Sequence, residues 1–287
     1  MSEITSRRRV VAGVDSSDNA ARAAAWAARE AADRGLSLHL AHAMNFPAPA
    51  DMITEIGYVE AAEKQALGLL GPMARELGER HPALTVTTEI CEKSAPEMLV
   101  ALSRGAELVV TGTRGHGGFA GLLLGSVSLK TAAHAHCPAV VVRGQRRDDA
   151  FDGIVLGVEP HEAEAPIAFA FQSAATLETS LHIVRAWWPA PSYGGFAFDD
   201  TAASEQREAE EVARLIKGAQ EQYPDVQVTT EVVRDNAVPA LIKAARDARL
   251  LVIGAHRRRS PLSVGAGYVV QGLLSHSPTP VAVVPIA

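Results

Sequence analysis

The chain is poor in the features that mark several large functional classes. Its 287 residues contain two cysteines, Cys91 and Cys137. Neither stands in a metal-ligand spacing, and each adjoins an expected strand, so both read as free, buried thiols. No apolar run approaches the roughly 20 residues that a bilayer-spanning helix requires, and the amino terminus lacks the apolar stretch of a secretory signal. A cytoplasmic protein is expected. Positive charge is also short: the formal net charge is -6, with both signs interspersed, which argues against gripping nucleic acid or anionic lipid through a basic face. The brief Arg7, Arg8, Arg9 run reads as a solvated arm.

What is present is a chain long enough for about two ordinary domains, with 47% hydrophobic and 21% charged residues, and an internal repeat. Val86-Thr87-Thr88-Glu89-Ile90 returns as Val228-Thr229-Thr230-Glu231-Val232, and His81-Pro82 returns as Tyr223-Pro224. Leu108-Val109-Val110-Thr111-Gly112 aligns with Leu250-Leu251-Val252-Ile253-Gly254, and Pro138 before Val140 with Pro280 before Val281. Upstream, Val11 to Asp15 meets Val155 to Glu159. A series in one order and near-constant register implies two copies of one domain, expected at 1–144 and 153–287. The charged stretch around Gln145-Arg146-Arg147-Asp148-Asp149 lies between them.

Each copy alternates short apolar runs with helical periodicity. In the first, strands are expected at 9–14, 36–43, 84–90, 108–112 and 139–142. Helices are expected at 19–34, 55–80, 96–103 and 125–135. Short strands, apolar throughout and separated by helices, imply parallel sheets covered on both faces. The expected fold is therefore α/β, two tandem doubly wound domains with five parallel strands each. Ligands of such sheets bind beyond the carboxyl ends of the strands, where the crossover direction reverses.

After the fourth strand of the first copy come Gly112-Thr113-Arg114-Gly115, nine further residues, and then Gly125-Ser126-Val127-Ser128 opening a helix. Glycine lets backbone N–H groups approach phosphate oxygens, and the helix start adds unpaired N–H groups, a positive dipole end and the Ser126 and Ser128 hydroxyls as further donors. The segment fits a triphosphate cradle, and equally a plain turn followed by a helix cap. Two other nucleotide signatures fail on it. Gly115-His116-Gly117-Gly118-Phe119-Ala120 follows a late strand with no acidic residue about twenty positions on, and Lys130-Thr131 is preceded by Leu129 where a Walker motif needs glycine.

The Gly112, Gly115, Gly125-Ser126 spacing, the strand-ending Gly13-Val14-Asp15-Ser16-Ser17 and the His134-Ala135-His136-Cys137-Pro138 tail running into Val140-Val141-Val142 together resemble the universal stress protein family. The resemblance covers nearly the whole chain as two tandem family domains, Rossmann-like and similar to the adenine nucleotide alpha hydrolases. It implies that Val14 and Asp15 contact the nucleoside of an ATP, with Asp15 also helping to place a phosphate-bound Mg²⁺. It further implies that Ala43 offers backbone groups to the adenine edge, and that Thr111, Gly112, Arg114, Gly115, Gly125, Ser126, Val127 and Ser128 line the ribose and phosphates. Asp15 also suits the cap of the helix expected to begin near Asn19.

The second copy departs from this pattern. Glu159 replaces the aspartate, Arg257 replaces the second glycine, and Gly267-Tyr268 replaces Gly-Ser, so a degraded site is expected. The His256-Arg257-Arg258-Arg259 run either holds an anion by side chains or is a solvated loop. No catalytic constellation emerges: His116 is the one loop histidine near the glycines, so slow or absent hydrolysis is expected. Trp187 and Trp188 read as packing or interface residues, and 45–56 and 189–203 as the long loops of each copy, either lids or plain surface loops. The resemblance also implies that the final strands, around Val140 and Val281, pair in an intramolecular pseudo-dimer, with homodimers of whole chains beyond that. The function expected is an ATP-binding stress-response or growth-regulatory switch acting through protein partners. A nucleotide-independent scaffold is the alternative, and a slow ATPase or phosphotransferase a weaker one.

Overall fold

The computed structural model describes residues 9–44, 55–115, 123–143, 153–159, 164–188, 201–256 and 267–286. Among the residues singled out above, Arg7 and Arg8, the 145–149 stretch, His116, Arg257 to Arg259 and most of the two long loops lie outside that set. The chain divides into two compact units.

The first unit runs β1 (Arg9–Gly13), α1 (Asp18–Asp33), β2 (Ser37–Ala43), α2 (Glu55–Arg80), β3 (Val86–Cys91), α3 (Ala95–Leu102), β4 (Leu108–Gly112), α4 (Ser126–His134) and β5 (Ala139–Val142). The strands lie in the order β3-β2-β1-β4-β5, every pair parallel, with Val10 beside both Leu38 and Leu108. This is the expected doubly wound sheet, and the expected elements differ from those found by a residue or two at their ends, where helices fray and strands lose partners. Strands β1, β4 and β5 are buried almost throughout because helices cover both faces. Edge strand β3 has no buried residue and is exposed at Thr87 and Thr88.

Small side chains on α1 let it lie close to the sheet: Ala20, Ala23, Ala24, Ala27, Ala28 and Ala31 are all buried. Its start is set by Ser17, whose hydroxyl accepts from Ala20 N at 3.2 Å, so the N-cap is Ser17 and not Asp15. Its end is marked by Gly35 at φ +63°, a left-handed conformation that glycine adopts without a Cβ clash. On the opposite face Met98 and Leu99 of α3 pack with Val11, Ala41, Val109 and Cys137 into a buried cluster. The crossovers reverse direction between β1 and β4, which opens a crevice at their carboxyl ends.

The second unit repeats the plan: β6 (Ile154–Gly157), α5 (Glu164–Thr176), β7 (Leu181–Trp187), α6 (Thr201–Gln222), β8 (Val228–Arg234), α7 (Ala237–Ala244), β9 (Leu250–His256), α8 (Tyr268–His276) and β10 (Val281–Ile286). Its strand order is β8-β7-β6-β9-β10, again all parallel. Ile154 lies beside Leu181 and Leu250, the register Val10 holds beside Leu38 and Leu108. Position His42 therefore corresponds to Arg185, and Met44 to Trp187. Phe171 of α5 is fully buried, with its ring 6.3 Å from that of Tyr223.

Candidate functional site

At the carboxyl edge of the first unit's sheet, the turns after β1, β2 and β4 enclose a cavity of about 690 Å³. The β1 turn supplies Gly13, Val14, Asp15 and Ser16; β2 supplies Ala41, His42 and Ala43. From β4 and the turn beyond it come Thr111, Gly112, Arg114 and Gly115, and from the start of α4 come Gly125, Ser126, Val127 and Ser128. Every site residue expected from the sequence thus lies on the wall of this one cavity.

Asp15 is anchored at one oxygen. Its Oδ1 accepts from Ser17 N at 2.9 Å and from Ser17 Oγ at 2.5 Å, and Ser17 Oγ in turn accepts from Ala20 N. The carboxylate is thereby tied to the positive end of α1. Across the crevice, the backbone of Gly115 lies so near that a Cβ there would land on Asp15 Oδ2. At Gly112 a Cβ would sit 2.7 Å from Asn19 O. Gly112 demands glycine because its Cβ would meet backbone, whereas a Cβ at Gly115 would have to displace the end of the Asp15 side chain.

Gly125 is the N-cap of α4 and Ser126 its first residue, with no side-chain cap bond. Gly125 N donates to Thr113 O at 2.7 Å, which closes the glycine turn onto the helix start. Ser126 is exposed. Ser128 is buried and donates its hydroxyl hydrogen to Gly112 O at 2.6 Å. The expectation that both hydroxyls serve as donors to a ligand is therefore corrected at Ser128, which braces the turn instead. Arg143, after β5, donates to Leu123 O at 2.6 Å. Its guanidinium is held below the ordinary value, chiefly by burial and further by the positive charge of Arg114. Of the two arginines, Arg114 and not Arg143 stands on the cavity wall.

Several wall residues were not foreseen from the sequence. Gln65 and Leu69 of α2 reach the cavity together, the one-turn spacing that puts i and i+4 on one helix face. Ala95, Met98 and Leu99 of α3 form an apolar wall. His42 Nδ1 donates to Val14 O at 2.8 Å. Since a carbonyl only accepts, Nδ1 carries the proton.

The second unit uses the corresponding edge differently. Arg185, buried on β7, donates from Nε to Glu208 Oε2 of α6 at 2.8 Å and from Nη1 to Glu159 Oε2 at 3.0 Å and Ala186 O at 2.9 Å. Glu159, at the position of Asp15, is thus bound to a neighbour within the unit. Trp187 is buried at the position of Met44. Arg234 lies 5.9 Å from the ring centroids of both Trp187 and Trp188, and Trp188 is 65% exposed, so one tryptophan of the pair packs and the other faces solvent. Tyr268 is exposed at the start of α8. The departure expected here from Arg257 and Tyr268 has a further basis within the described residues, the Glu159–Arg185–Glu208 bridge.

Cys137 is buried, with its thiol pushed up to about 12 chiefly by desolvation, whereas Cys91 ends β3 half-buried. Among the described residues no group of three or more His, Cys, Asp or Glu is arranged to hold a metal ion. No helix among them is long and apolar enough to cross a membrane.

The sequence profile of the Universal stress protein family matches residues 6–143 and again 150–285. A universal stress protein of Mycolicibacterium smegmatis is 32% identical over 286 residues, covering 96% of each chain. One of Mycobacterium tuberculosis is 28% identical over 312 residues, covering 99% of this chain and 98% of its own. Among solved structures, a universal stress protein from Archaeoglobus fulgidus superimposes with a TM-score of 0.70 at 16% identity, covering 98% of this chain and 96% of its own. The chain belongs to the universal stress protein family, as a tandem member with two copies of the family domain.

Proposed function

We propose that the first unit binds ATP, with its Mg²⁺, in the crevice between β1 and β4. The chain then works as an adenylate-dependent stress-response or growth-regulatory switch through protein partners, with little or no hydrolysis. The observation that carries this reading is the convergence of the glycine turn, the N-terminus of α4 and Arg114 on one side of a cavity whose α3 side is apolar. Backbone N–H groups, a helix dipole and guanidinium charge suit a polyphosphate, and the α3 wall suits a base. The volume, about 690 Å³, is within the range of small-molecule sites, on the order of 300–1,000 Å³.

Mg²⁺ takes most of its ligands from phosphate and water when a protein offers one carboxylate. Asp15 is the carboxylate on this cavity wall, which supports a metal held through the nucleotide. Hydrolysis would need a positioned water and a base. His42, the histidine among the described wall residues, has its Nδ1 proton on the neutral carbonyl of Val14 and not on a carboxylate, so no acid–base dyad supports turnover among those residues. The test is calorimetric titration with ATP. Asp15→Ala and Gly115→Ala should each lower affinity at least tenfold, the second because its new Cβ displaces Asp15. Undiminished affinity in both variants rejects the reading. The Glu159–Arg185–Glu208 bridge favours a nucleotide-independent, scaffolding role for the second unit.

A further inference from the structure

The ring of His42 stands at the end of β2 with one nitrogen committed and one open. Its Nδ1 holds Val14 O at 2.8 Å, and Val14 is itself clamped to the sheet by its N–H to Ala41 O at 2.9 Å. Turning the ring would break its bond to Val14 O beside the junction of β1 and β2. A carbonyl fixes the proton on Nδ1, so the neutral ring presents Nε2 as a bare lone pair. His42 lines the cavity, and Nε2 has no hydrogen-bond partner among the described residues. The wall around it also offers donors at the glycine turn, apolar surface at α3 and the Asp15 carboxylate. His42 adds a neutral, oriented acceptor.

Position 185 of the second unit holds the same register, and there the residue is arginine, which can only donate. Its Nε and Nη1 donate to Glu208, Glu159 and Ala186 O. One strand position thus has opposite hydrogen-bonding character in the two units, open acceptor in one and internally bonded donor in the other.

We infer that His42 is a specificity-determining residue of the first unit's cavity, its Nε2 accepting a hydrogen bond from an O–H or N–H donor of the bound nucleotide. This rests on the reading of the cavity as a nucleotide site. Two groups of an adenine nucleotide supply such a donor, a ribose hydroxyl and the exocyclic amine. A nucleotide lacking the relevant donor leaves Nε2 desolvated and unpaired, which is how a polar contact discriminates between close analogues.

The experiment compares ATP, 2′-deoxy-ATP, 3′-deoxy-ATP and inosine triphosphate by calorimetry on the full chain and on His42→Phe, which keeps a ring of similar size without nitrogens. The wild type should prefer ATP by about tenfold over the analogue missing the donor, about 1.4 kcal/mol, and His42→Phe should lose that preference. Loss confined to a deoxy analogue assigns the ribose, and loss confined to inosine triphosphate assigns the amine. A second measurement needs no variant. Imidazole nitrogen NMR of the wild type should report an Nδ1–H tautomer whose Nε2 resonance moves on saturation with ATP. Should the wild type bind ATP while no preference changes in His42→Phe and Nε2 stays unmoved, the inference is overturned and the nucleotide site stands. Failure of the wild type to bind any of the four nucleotides removes the site and the inference together.

Discussion

Asp15 and Glu159 show how one carbon of side chain changes a local outcome. Asp15 is short enough to fold back onto Ser17 N and Oγ, so it belongs to the α1 cap network and leaves its second oxygen against Gly115. Glu159 instead meets the Arg185 guanidinium. Arg185 is buried while Glu159 is mostly exposed and Glu208 less so, so most of the energetic weight lies on the Glu208 side, where solvent screens least. Arg185→Ala should destabilise the second unit by about 2 kcal/mol, less than the ~3–5 of a fully buried pair, and urea unfolding followed by tryptophan fluorescence would read it. A change within error would mean that the bridge is offset by its own desolvation. At Cys137 the raised thiol pKa, about 12, and burial predict no alkylation in the native protein at pH 8. Iodoacetamide followed by mass spectrometry should find it labelled only after denaturation.

At the scale of elements, each unit repeats one cross-strand network. His39 of β2 touches Thr87 Oγ1 at 2.9 Å through Nδ1 and Glu89 Oε2 at 3.0 Å through Nε2. His182 of β7 does the same with Thr229 at 2.8 Å and Glu231 at 3.0 Å. These bonds fasten an edge strand whose outer residues are exposed. Burial holds the His39 pKa below its ordinary 6.5; the Glu89 hydrogen bond opposes this, and Arg9 adds to the lowering. A histidine with a depressed folded-state value binds fewer protons folded than unfolded, so its contribution is complete above about pH 6.5 and is lost as pH falls through the folded value. His39→Gln should therefore flatten the acid side of the first unit's stability profile, measured by thermal melts between pH 7 and pH 5. An unchanged profile would show that Glu89 and not burial governs the ring. Ser17→Ala tests a different element: loss of the α1 cap should cost about 1 kcal/mol and release Asp15, so stability and ATP affinity should fall together.

For the whole molecule, the two copies share a register and differ in what lies at the carboxyl edge. One nucleotide per chain is expected, and native mass spectrometry in ATP should give a single addition, abolished by Gly115→Ala. Two additions would mean that the Arg185 bridge yields to a ligand. The strand and helix order was legible in the sequence because buried parallel strands are short and apolar throughout, and because the repeat doubled each signal. The glycine turn was legible because close approach admits few residues: a Cβ at Gly112 would meet the Asn19 backbone, and one at Gly115 would have to displace the Asp15 carboxylate.

Other parts of the site gave no local signal. Gln65 and Leu69 join the cavity wall only because the fold brings α2 beside it. Ser128 reads as a ligand donor until its hydroxyl is found on Gly112 O, and Arg185 reads as an ordinary strand residue until its two carboxylates are located. The amino-acid sequence by itself determined the two-copy plan, the parallel sheets and the glycine turn, since these follow from periodicity and backbone sterics over a few residues. The tertiary structure alone decided which polar groups are already bonded and which face the cavity, because their partners, such as Ser128 with Gly112 O or Arg185 with Glu208, lie on other elements and meet only when the chain is folded.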